Sequence, residues 1–218
     1  MGKILPILFN TESVQAILSE RKTCTRRVIK GHIPKNSEFG YTLFTPKGTI
    51  SCRGTFGIVP SEYGEKFFKL PYQKGDILYV RETWGEWTDG YIYKAWNSPF
   101  PQVGKSSVMK WKPSIHMPKE AARIWLKVTD VRVERLQKMT DEDCEKEGLE
   151  NACKKCESHL FNCDICMNND GIKEEFKEFW DSTIKKADID KYGWSTNPWV
   201  WVIEFERCEE PGKEEDKL

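Results

Sequence analysis

Alternation of apolar and polar residues gives the clearest prediction of strands in this chain. It runs from Arg123 to Leu136 with one offset at Thr129-Asp130, and from Trp199 to Glu206 without interruption. A period of two residues predicts a half-buried strand, and the offset indicates a bulge or bend in the first of these two segments. Shorter runs predict further strands at Lys3 to Phe9, Tyr41 to Thr45, Thr49 to Arg53, Ile77 to Val80 and Tyr91 to Ala95.

Helical periodicity is confined to three short segments. The first runs from Thr11 to about Ser19, with Asn10 or Thr11 as its N-cap. The second starts at Thr140 with a capping-box pattern and ends near Glu147. The third has one apolar face, formed by Ile172, Phe176, Phe179, Trp180 and Ile184. Because short strands outnumber helices, the pattern predicts an α+β fold built on a small β-barrel with peripheral helices.

The charge balance limits the classes of partner. The chain has 218 residues, with 34 Lys plus Arg against 34 Asp plus Glu, so its formal net charge is zero. Non-specific coating of nucleic acid needs excess positive charge, because such binding scales with the phosphates neutralised. No apolar run approaches a membrane span and the N-terminus lacks a signal-peptide apolar region, so we expect a cytoplasmic protein without membrane contact. We expect one domain over residues 1–208 and a charged, frayed tail over residues 209–218.

The segment from Arg21 to Arg27 suits a polar or anionic ligand. It carries four cationic side chains and two hydroxyls within seven residues, and the next carboxylate is Glu38. Guanidinium and ammonium groups bind anions through charge-assisted hydrogen bonds, which makes Arg21, Arg26 and Arg27 candidate ligand contacts. The alternative is a solvated basic helix end, where cations favour the helix dipole. The same cations are expected to lower the pKa of the Cys24 thiol.

The sharpest local motif is a pair of short cysteine repeats, Cys153-x-x-Cys156 and Cys163-x-x-Cys166. Four thiolates in two closely spaced pairs suit tetrahedral zinc. Two disulfides or four free thiols are the alternatives, and a cytoplasmic location disfavours the disulfides. Since the protein would then fill all four positions around the metal, we expect a structural zinc within an insert over residues 150–170.

Two further stretches combine cationic and aromatic side chains. Residues 81–84, Arg-Glu-Thr-Trp, follow a predicted buried strand, and Lys112 and His116 lie in a second basic and aromatic stretch. Arg81 and Glu82 suit hydrogen bonds to base edges, and Trp84 suits stacking on a base. The alternative is that the tryptophan belongs to the core and that Arg81 and Glu82 form a structural ion pair.

The segment from Arg21 to Arg27 resembles the Arg-Lys-Thr-x-Thr-x-Arg signature of the ASCH domain family, which has a PUA-like β-barrel. Other stretches are similar to phage and prophage ASCH-like proteins, so the similarity spans nearly the whole chain. These stretches are Pro6 to Phe9, Gly75 to Trp84, Trp111 to Pro118 and Asn197 to Glu204. The chain departs from the family at Glu20, where the family often has Gly. It departs again in the four-cysteine insert, which is not part of the basic ASCH barrel.

The resemblance implies a pocket for RNA or for a modified nucleobase or nucleoside. One ASCH branch consists of small amidohydrolases that remove the acetyl group of N(4)-acetylcytidine with a Lys, a Thr and a Glu, and another has been linked to ribonuclease activity. By motif, the Lys and the Thr fall on Lys22 and Thr25, and by the weaker match of residues 140–148 the Glu falls on Glu147. The lysine would take the hydroxyl proton, the threonine would attack the amide carbonyl, and the glutamate would orient the lysine or protonate the leaving nitrogen. Alternatively, Glu147 is a solvated helix residue in an acidic stretch.

Three functions are consistent with these expectations. The first is an ASCH module that binds RNA or a modified nucleoside through Lys22 and Thr25 without turnover. The second is a hydrolase, either a nucleoside amidohydrolase or a ribonuclease, that uses Lys22, Thr25 and Glu147. The third is a phage or prophage structural or interaction protein, acting inside the bacterial host, that docks a protein partner through the zinc insert. Balanced charge favours a small nucleoside over long RNA.

The cysteine spacing leads to a prediction about metal content. We expect one zinc per chain, held by Cys153, Cys156, Cys163 and Cys166, because such sites stabilise loops that lack a core of their own. Metal analysis of protein purified under reducing conditions tests this, and chelation is expected to unfold the insert alone. Protein without zinc, in which all four thiols react freely with a thiol reagent, contradicts the prediction.

Overall fold

The computed structural model describes residues 2–31, 38–40, 55–59, 66–87, 90–95, 110–149 and 171–212. Side chains are described in all of these ranges except 38–40, 55–59, 66–69 and position 87. The strands are β1 (Ile4–Leu8), β2 (Cys24–Val28), β3 (Glu38–Gly40), β4 (Thr55–Val59), β5 (Lys66–Lys69), β6 (Ile77–Arg81), β7 (Trp84–Trp87), β8 (Gly90–Tyr93), β9 (Trp125–Arg135) and β10 (Trp199–Cys208). The α-helices are α1 (Thr11–Leu18), α2 (Asp141–Lys146), α3 (Gly171–Thr183) and α4 (Ile189–Tyr192). Single 3₁₀ turns lie at Ser114–His116, Lys119–Ala121, Leu136–Lys138, Lys186–Asp188 and Trp194–Thr196.

A mixed five-stranded sheet organises the described part of the chain. Its strand order is β1-β6-β9-β10-β2, with β1 parallel to β6 and the other neighbours antiparallel. The predicted α+β class is therefore confirmed. Pro6, which has no N–H to donate, lies in the edge strand β1, as its chemistry requires.

The two strongest alternating segments form the long central strands. β9 and β10 pair over their whole length, and the register shifts between Glu204 and Phe205, so that Asp130 and Val128 face successive residues of β10. Thr129 is the extra residue, and the predicted bulge is confirmed at this position.

Both faces of the sheet are covered, and each has its own apolar core. Trp201, Ile203 and Phe205 of β10 pack on one face with residues of α1, β6 and β9. Val200 and Val202, which point the other way, pack with residues of α2 and α3. Alternation predicted one buried face of β10. The opposite face is also buried because the helices α2 and α3 cover it.

The described strands do not close into a barrel. β1 and β2 are the two edges of the main sheet, and β3, β4 and β5 form a separate three-stranded sheet. The segment Tyr91 to Ala95 was expected in the barrel, but β8 pairs with β7 in a hairpin of its own, because sequence neighbours pair at little entropic cost. The predicted strands Tyr41 to Thr45 and Thr49 to Arg53 lie outside the described residues.

The basic segment is a strand over most of its length, not the end of a helix. Cys24 to Val28 pairs antiparallel with Val200 to Glu204 of β10. The alternative of a solvated basic helix end is therefore wrong. Strand pairing decides the conformation here, and it gives Thr25 and Arg26 opposite orientations.

Helix α1 ends in a Schellman motif that sets the direction of the basic segment. The N–H of Arg21 donates to the carbonyl of Ala16 at 2.9 Å, and the N–H of Glu20 donates to that of Ile17 at 3.1 Å. Glu20 takes the left-handed position of this motif, with φ of 62°. A glycine occupies such a position without a steric penalty, whereas a side chain crowds the backbone.

We expect Glu20→Gly to stabilise the protein by roughly 1 kcal/mol, because it removes the cost of the left-handed conformation. Urea unfolding followed by circular dichroism measures the change. Glu20→Ala is the matched control, since it removes the same carboxylate and retains the Cβ. Equal stabilities of the glycine and alanine variants would show that backbone strain at this position is negligible.

Candidate functional site

A cleft of about 500 Å³ lies beside the edge strand β2. The end of β1 and the start of α1 form one side, and the last turns of α3 form another. Among the residues that line it are Lys22, Thr25, Arg26, Arg27, Thr83 and Glu147. The cleft thus brings the basic segment, the residue after Glu82 and the C-terminal end of α2 into one place.

The ion pair of Lys22 and Glu147 lies at the base of this cleft. Lys22 Nζ donates to Glu147 Oε2 at 2.5 Å and to the main-chain carbonyl of Glu147 at 2.7 Å. The two side chains are 1% and 3% exposed, so the pair is shielded from water. The alternative of a solvated helix residue at Glu147 does not describe this position.

Main-chain contacts bring these two distant residues together. Lys22 and Glu147 form an isolated antiparallel bridge, and the N–H of Thr23 donates to the carbonyl of Lys146 at 2.9 Å. Gly148 follows with φ of 95°, and a Cβ there would lie 2.7 Å from the Cβ of Ala16 and 3.0 Å from that of Lys22. Only glycine allows this close approach, so Gly148 is required for the Lys22–Glu147 contact.

Arg26 reaches Glu147 from the other side. Its NH1 donates to Glu147 Oε1 at 3.3 Å, and its NH2 lies 3.2 Å from Asp143 Oδ2 and 3.8 Å from Glu134 Oε2. Burial acts to lower the pKa of the Arg26 guanidinium, but the charges of these carboxylates, led by Glu147, raise it overall. Arg26 was expected to contact a ligand, yet its guanidinium is occupied by three carboxylates of the protein.

Asp143 contributes both to this charge cluster and to the start of α2. Thr140 and Asp143 form the predicted capping box, in which each side chain accepts from the other's main-chain N–H. Partial burial acts to raise the pKa of the Asp143 carboxyl. The N–H of Thr140 and the charge of Arg26 outweigh that effect and hold the pKa below its ordinary value. Helix capping and site electrostatics therefore depend on one carboxylate.

Thr25 and Arg27 share the opposite side of β2 from Arg26. Thr25 is 4% exposed, and its hydroxyl makes no hydrogen bond to any residue that the structure describes. Arg27 is more exposed, and its NH2 donates to the carbonyl of Leu8 at 2.7 Å while its guanidinium lies 5.3 Å from the ring centre of Phe9. The cleft thus has a buried hydroxyl and, at an exposed position, a cation.

Aromatic side chains form much of the wall that faces these polar groups. Phe9 follows β1, and Phe176, Phe179 and Trp180 come from α3. The rings of Phe176 and Trp180 are stacked with centres 6.2 Å apart. Sequence periodicity predicted α3 and its apolar face but not its place at the cleft, because nothing in a single helix pattern identifies the surface against which it packs.

Residues 81–84 have structural roles instead of the expected contacts with a base. Arg81 donates from Nε to the carbonyl of Met117 at 2.7 Å and from NH2 to that of Ile115. Glu82 is 1% exposed and accepts two hydrogen bonds from Arg123, at 2.9 and 3.0 Å. The alternative of an ion pair between Arg81 and Glu82 is wrong, because each side chain bonds to another part of the chain, and neither residue lines the cleft.

The ring of Trp84 also lies in the protein interior. It is 3% exposed, and it packs at an edge-to-face angle on Tyr91 with ring centres 5.6 Å apart. Lys112 Nζ lies 4.7 Å from the Trp84 ring centre and 2.7 Å from Glu86 Oε1. At 3% exposure the Trp84 ring is not open to a base in this structure, and the alternative that the tryptophan belongs to the core describes it better.

Two other expected ligand contacts lie at the protein surface. His116 is exposed at the end of a 3₁₀ turn and is not among the residues that line the cleft. Arg21 is also exposed and outside that lining, and it donates to the carbonyl of Gly148 at 2.8 Å. Arg21 thus braces the main chain next to Glu147.

Cys24 differs from its expected chemistry. Burial raises the pKa of its thiol to about 12, with a further increase from the nearby charge of Glu147, and the cations beside it only partly offset this. The expectation of a lowered pKa is wrong because Cys24 lies in the core and not on a cationic surface. A thiol in this environment stays protonated at neutral pH.

The cysteines at positions 153, 156, 163 and 166 lie outside the described residues. Within the described ranges, no cluster of three or more His, Cys, Asp or Glu side chains is placed to hold a metal, and no helix is long and apolar enough to cross a membrane.

Comparisons with protein-family models, with curated proteins and with solved structures find no match to this chain. The polar groups that line the cleft are an ammonium, guanidiniums, a carboxylate and hydroxyls.

Because Glu147 pairs with two cations, removing its charge is expected to cost more unfolding free energy than removing the charge of Lys22. Lys22→Met leaves Glu147 with Arg26 as a partner, whereas Glu147→Gln leaves two buried cations beside one neutral amide. We expect Glu147→Gln to cost about 3 kcal/mol or more of unfolding free energy, and Lys22→Met to cost less.

Urea unfolding of both variants tests this asymmetry. Glu142→Gln is the control, because Glu142 is an exposed carboxylate of the same helix. Equal losses in the Lys22 and Glu147 variants would mean that Arg26 does not share Glu147.

Proposed function

We propose that this chain is an ASCH-type protein, related to the PUA-like folds, whose cleft binds a nucleobase or nucleoside. The observation that supports this most is the meeting of Lys22, Thr25 and Glu147 in one cleft. The resemblance groups these residues by motif although Glu147 is 125 positions from Lys22 in sequence. Physical contact between motif residues so far apart is expected of a site that acts as a unit.

The size and the walls of the cleft suit a small planar ligand. Small-molecule pockets typically span about 300–1,000 Å³, and this cleft has a volume of about 500 Å³. Its aromatic wall provides apolar contact for a ring, and Thr25 provides a hydroxyl that is available to a ligand. A long RNA would require many neutralised phosphates, whereas the formal net charge of the chain is zero. We therefore favour a nucleoside over RNA.

A second candidate function is hydrolysis of an amide on that nucleoside, such as N(4)-acetylcytidine. It is favoured specifically by the contact of Lys22 with Glu147 beside the buried hydroxyl of Thr25. The Thr25 oxygen would attack the acetyl carbon, and its proton would pass to Lys22 in the neutral amine form. Lys22 would then give this proton to the leaving nitrogen as the C–N bond breaks, and water would release acetate from the resulting ester and restore the Thr25 hydroxyl. Glu147 would orient Lys22 throughout.

Substitutions at Thr25 separate binding from hydrolysis. If the protein only binds, Thr25→Ala removes one hydrogen bond and is expected to weaken binding by roughly 1 kcal/mol. If the protein hydrolyses N(4)-acetylcytidine, we expect turnover in Thr25→Ala to fall by about 1,000-fold or more, and Thr25→Ser to retain part of the rate because it keeps a hydroxyl. Calorimetry and chromatographic detection of cytidine, on a panel of acetylated and methylated cytidines, measure the two effects.

Thr23→Ala is the matched control for this experiment. Thr23 is an exposed threonine of the same segment and does not line the cleft. Its removal is expected to change neither binding nor turnover. A folded double variant, Lys22→Ala with Thr25→Ala, that binds and hydrolyses like the wild type would show that the site is elsewhere.

A further inference from the structure

Arg26 lines the cleft, but its guanidinium is buried among charged side chains of the protein. Its side chain is 1% exposed. Neither Nε nor NH2 makes a hydrogen bond of good geometry within the described residues, although NH2 lies 3.2 Å from Asp143. Charge attraction, more than directed hydrogen bonding, therefore holds the guanidinium in place.

The two oxygens of Glu147 are divided between two cations. Oε2 accepts from Lys22 at 2.5 Å, and Oε1 accepts from Arg26 at 3.3 Å. With only Lys22 present, the carboxylate would be free to rotate. A second cation on the far oxygen opposes this rotation, because a hydrogen bond to each oxygen fixes the carboxylate plane.

We propose that Arg26 is a positioning residue: it holds the Glu147 carboxylate aimed at Lys22, and it does so without touching the ligand. The consequence for the cleft rests on the proposed function, whereas the effect on Glu147 is a property of the protein alone. The side chain expected from the sequence to bind a ligand instead prepares the pair that does.

Charged or titratable side chains of α2, β9 and β2 surround the Arg26 guanidinium. Asp143 of α2 and Glu134 of β9 face its NH2, and Glu134 is also held by Arg132, whose Nε donates to it at 2.5 Å. The thiol of Cys24 on β2 lies 3.9 Å from NH1, and its raised pKa keeps it neutral. Asp143 thus supplies the carboxylate nearest to NH2 of Arg26. It balances part of the guanidinium charge, while Glu147 keeps its contact with Lys22.

The first test compares Arg26→Met and Arg26→Lys with the wild type, using N(4)-acetylcytidine as the probe. In Arg26→Met we expect kcat to fall by about 100-fold with little change in KM, because a misplaced group is costly to the reaction and Arg26 does not hold substrate. Arg26→Lys retains the positive charge beside Glu147 and should restore part of kcat, again with little change in KM.

The second test needs no ligand. In protein with ¹³C-labelled glutamate carboxyls, the Glu147 NMR signal is assigned by its loss in Glu147→Gln. We expect this signal to shift and broaden in Arg26→Met, because the carboxylate is no longer held between two cations, and to stay near the wild-type position in Arg26→Lys. Arg207→Met, which removes an exposed arginine of β10, should leave it unchanged.

The outcomes separate the two proposals. Wild-type protein that neither binds nor hydrolyses the nucleoside overturns the proposed function, and the Glu147 NMR signal then decides the role of Arg26 alone. An unchanged Glu147 signal in Arg26→Met overturns the positioning role, whatever the activity. If Arg26→Met does not fold, the charge-balanced variant Arg26→Met with Asp143→Asn replaces it, and the same change in the Glu147 signal is required.

Discussion

One buried carboxylate, Glu147, neutralises two buried cations, and the rest of the site depends on this arrangement. Moving Lys22 and Arg26 out of water is unfavourable unless negative charge lies against them, and Glu147 meets each with a different oxygen. The main chain must also be placed so that Glu147 can reach both cations. Helix α2 must end beside the basic segment, and Gly148 must lack a side chain so that the chain can pass Ala16 and Lys22. A carboxylate displaced by a single residue would leave Lys22 without this partner, and Arg26 would keep only Asp143 and Glu134.

The edge position of β2 makes the cleft possible. A central strand has neighbours on both sides, whereas β2 has β10 on one side only and offers side chains of both orientations near its free edge. Thr25 and Arg27 therefore point to one side and Arg26 to the other, while all three line the same cleft. Helix α1 fixes one end of the strand through its Schellman motif, and α3 brings its aromatic residues against the other side.

Several polar residues that resembled ligand contacts are instead paired within the protein. Glu82 looked available because its nearest cation in sequence is Arg81, but it pairs with Arg123, 41 positions away. Trp84 looked like a stacking surface, but Tyr91 and Lys112 cover its ring. In each case the sequence correctly indicated a side chain that binds a partner, but it did not indicate which partner. Buried polar groups take whichever partner the fold brings near, and that choice leaves no local pattern in the sequence.

The sequence by itself determined the elements whose cause is local. Strict alternation defined β9 and β10 and located the bulge at Thr129, and the capping box at Thr140 started α2. The motif resemblance singled out Lys22 and Thr25. Only the tertiary structure decided that the basic segment is an edge strand, that Cys24 is buried with a pKa raised to about 12, and that Glu147 serves Lys22 and Arg26 together. The physical reason is the sequence distance over which each effect acts. Periodicity and capping act over a few residues, whereas burial and charge pairing join residues more than a hundred positions apart.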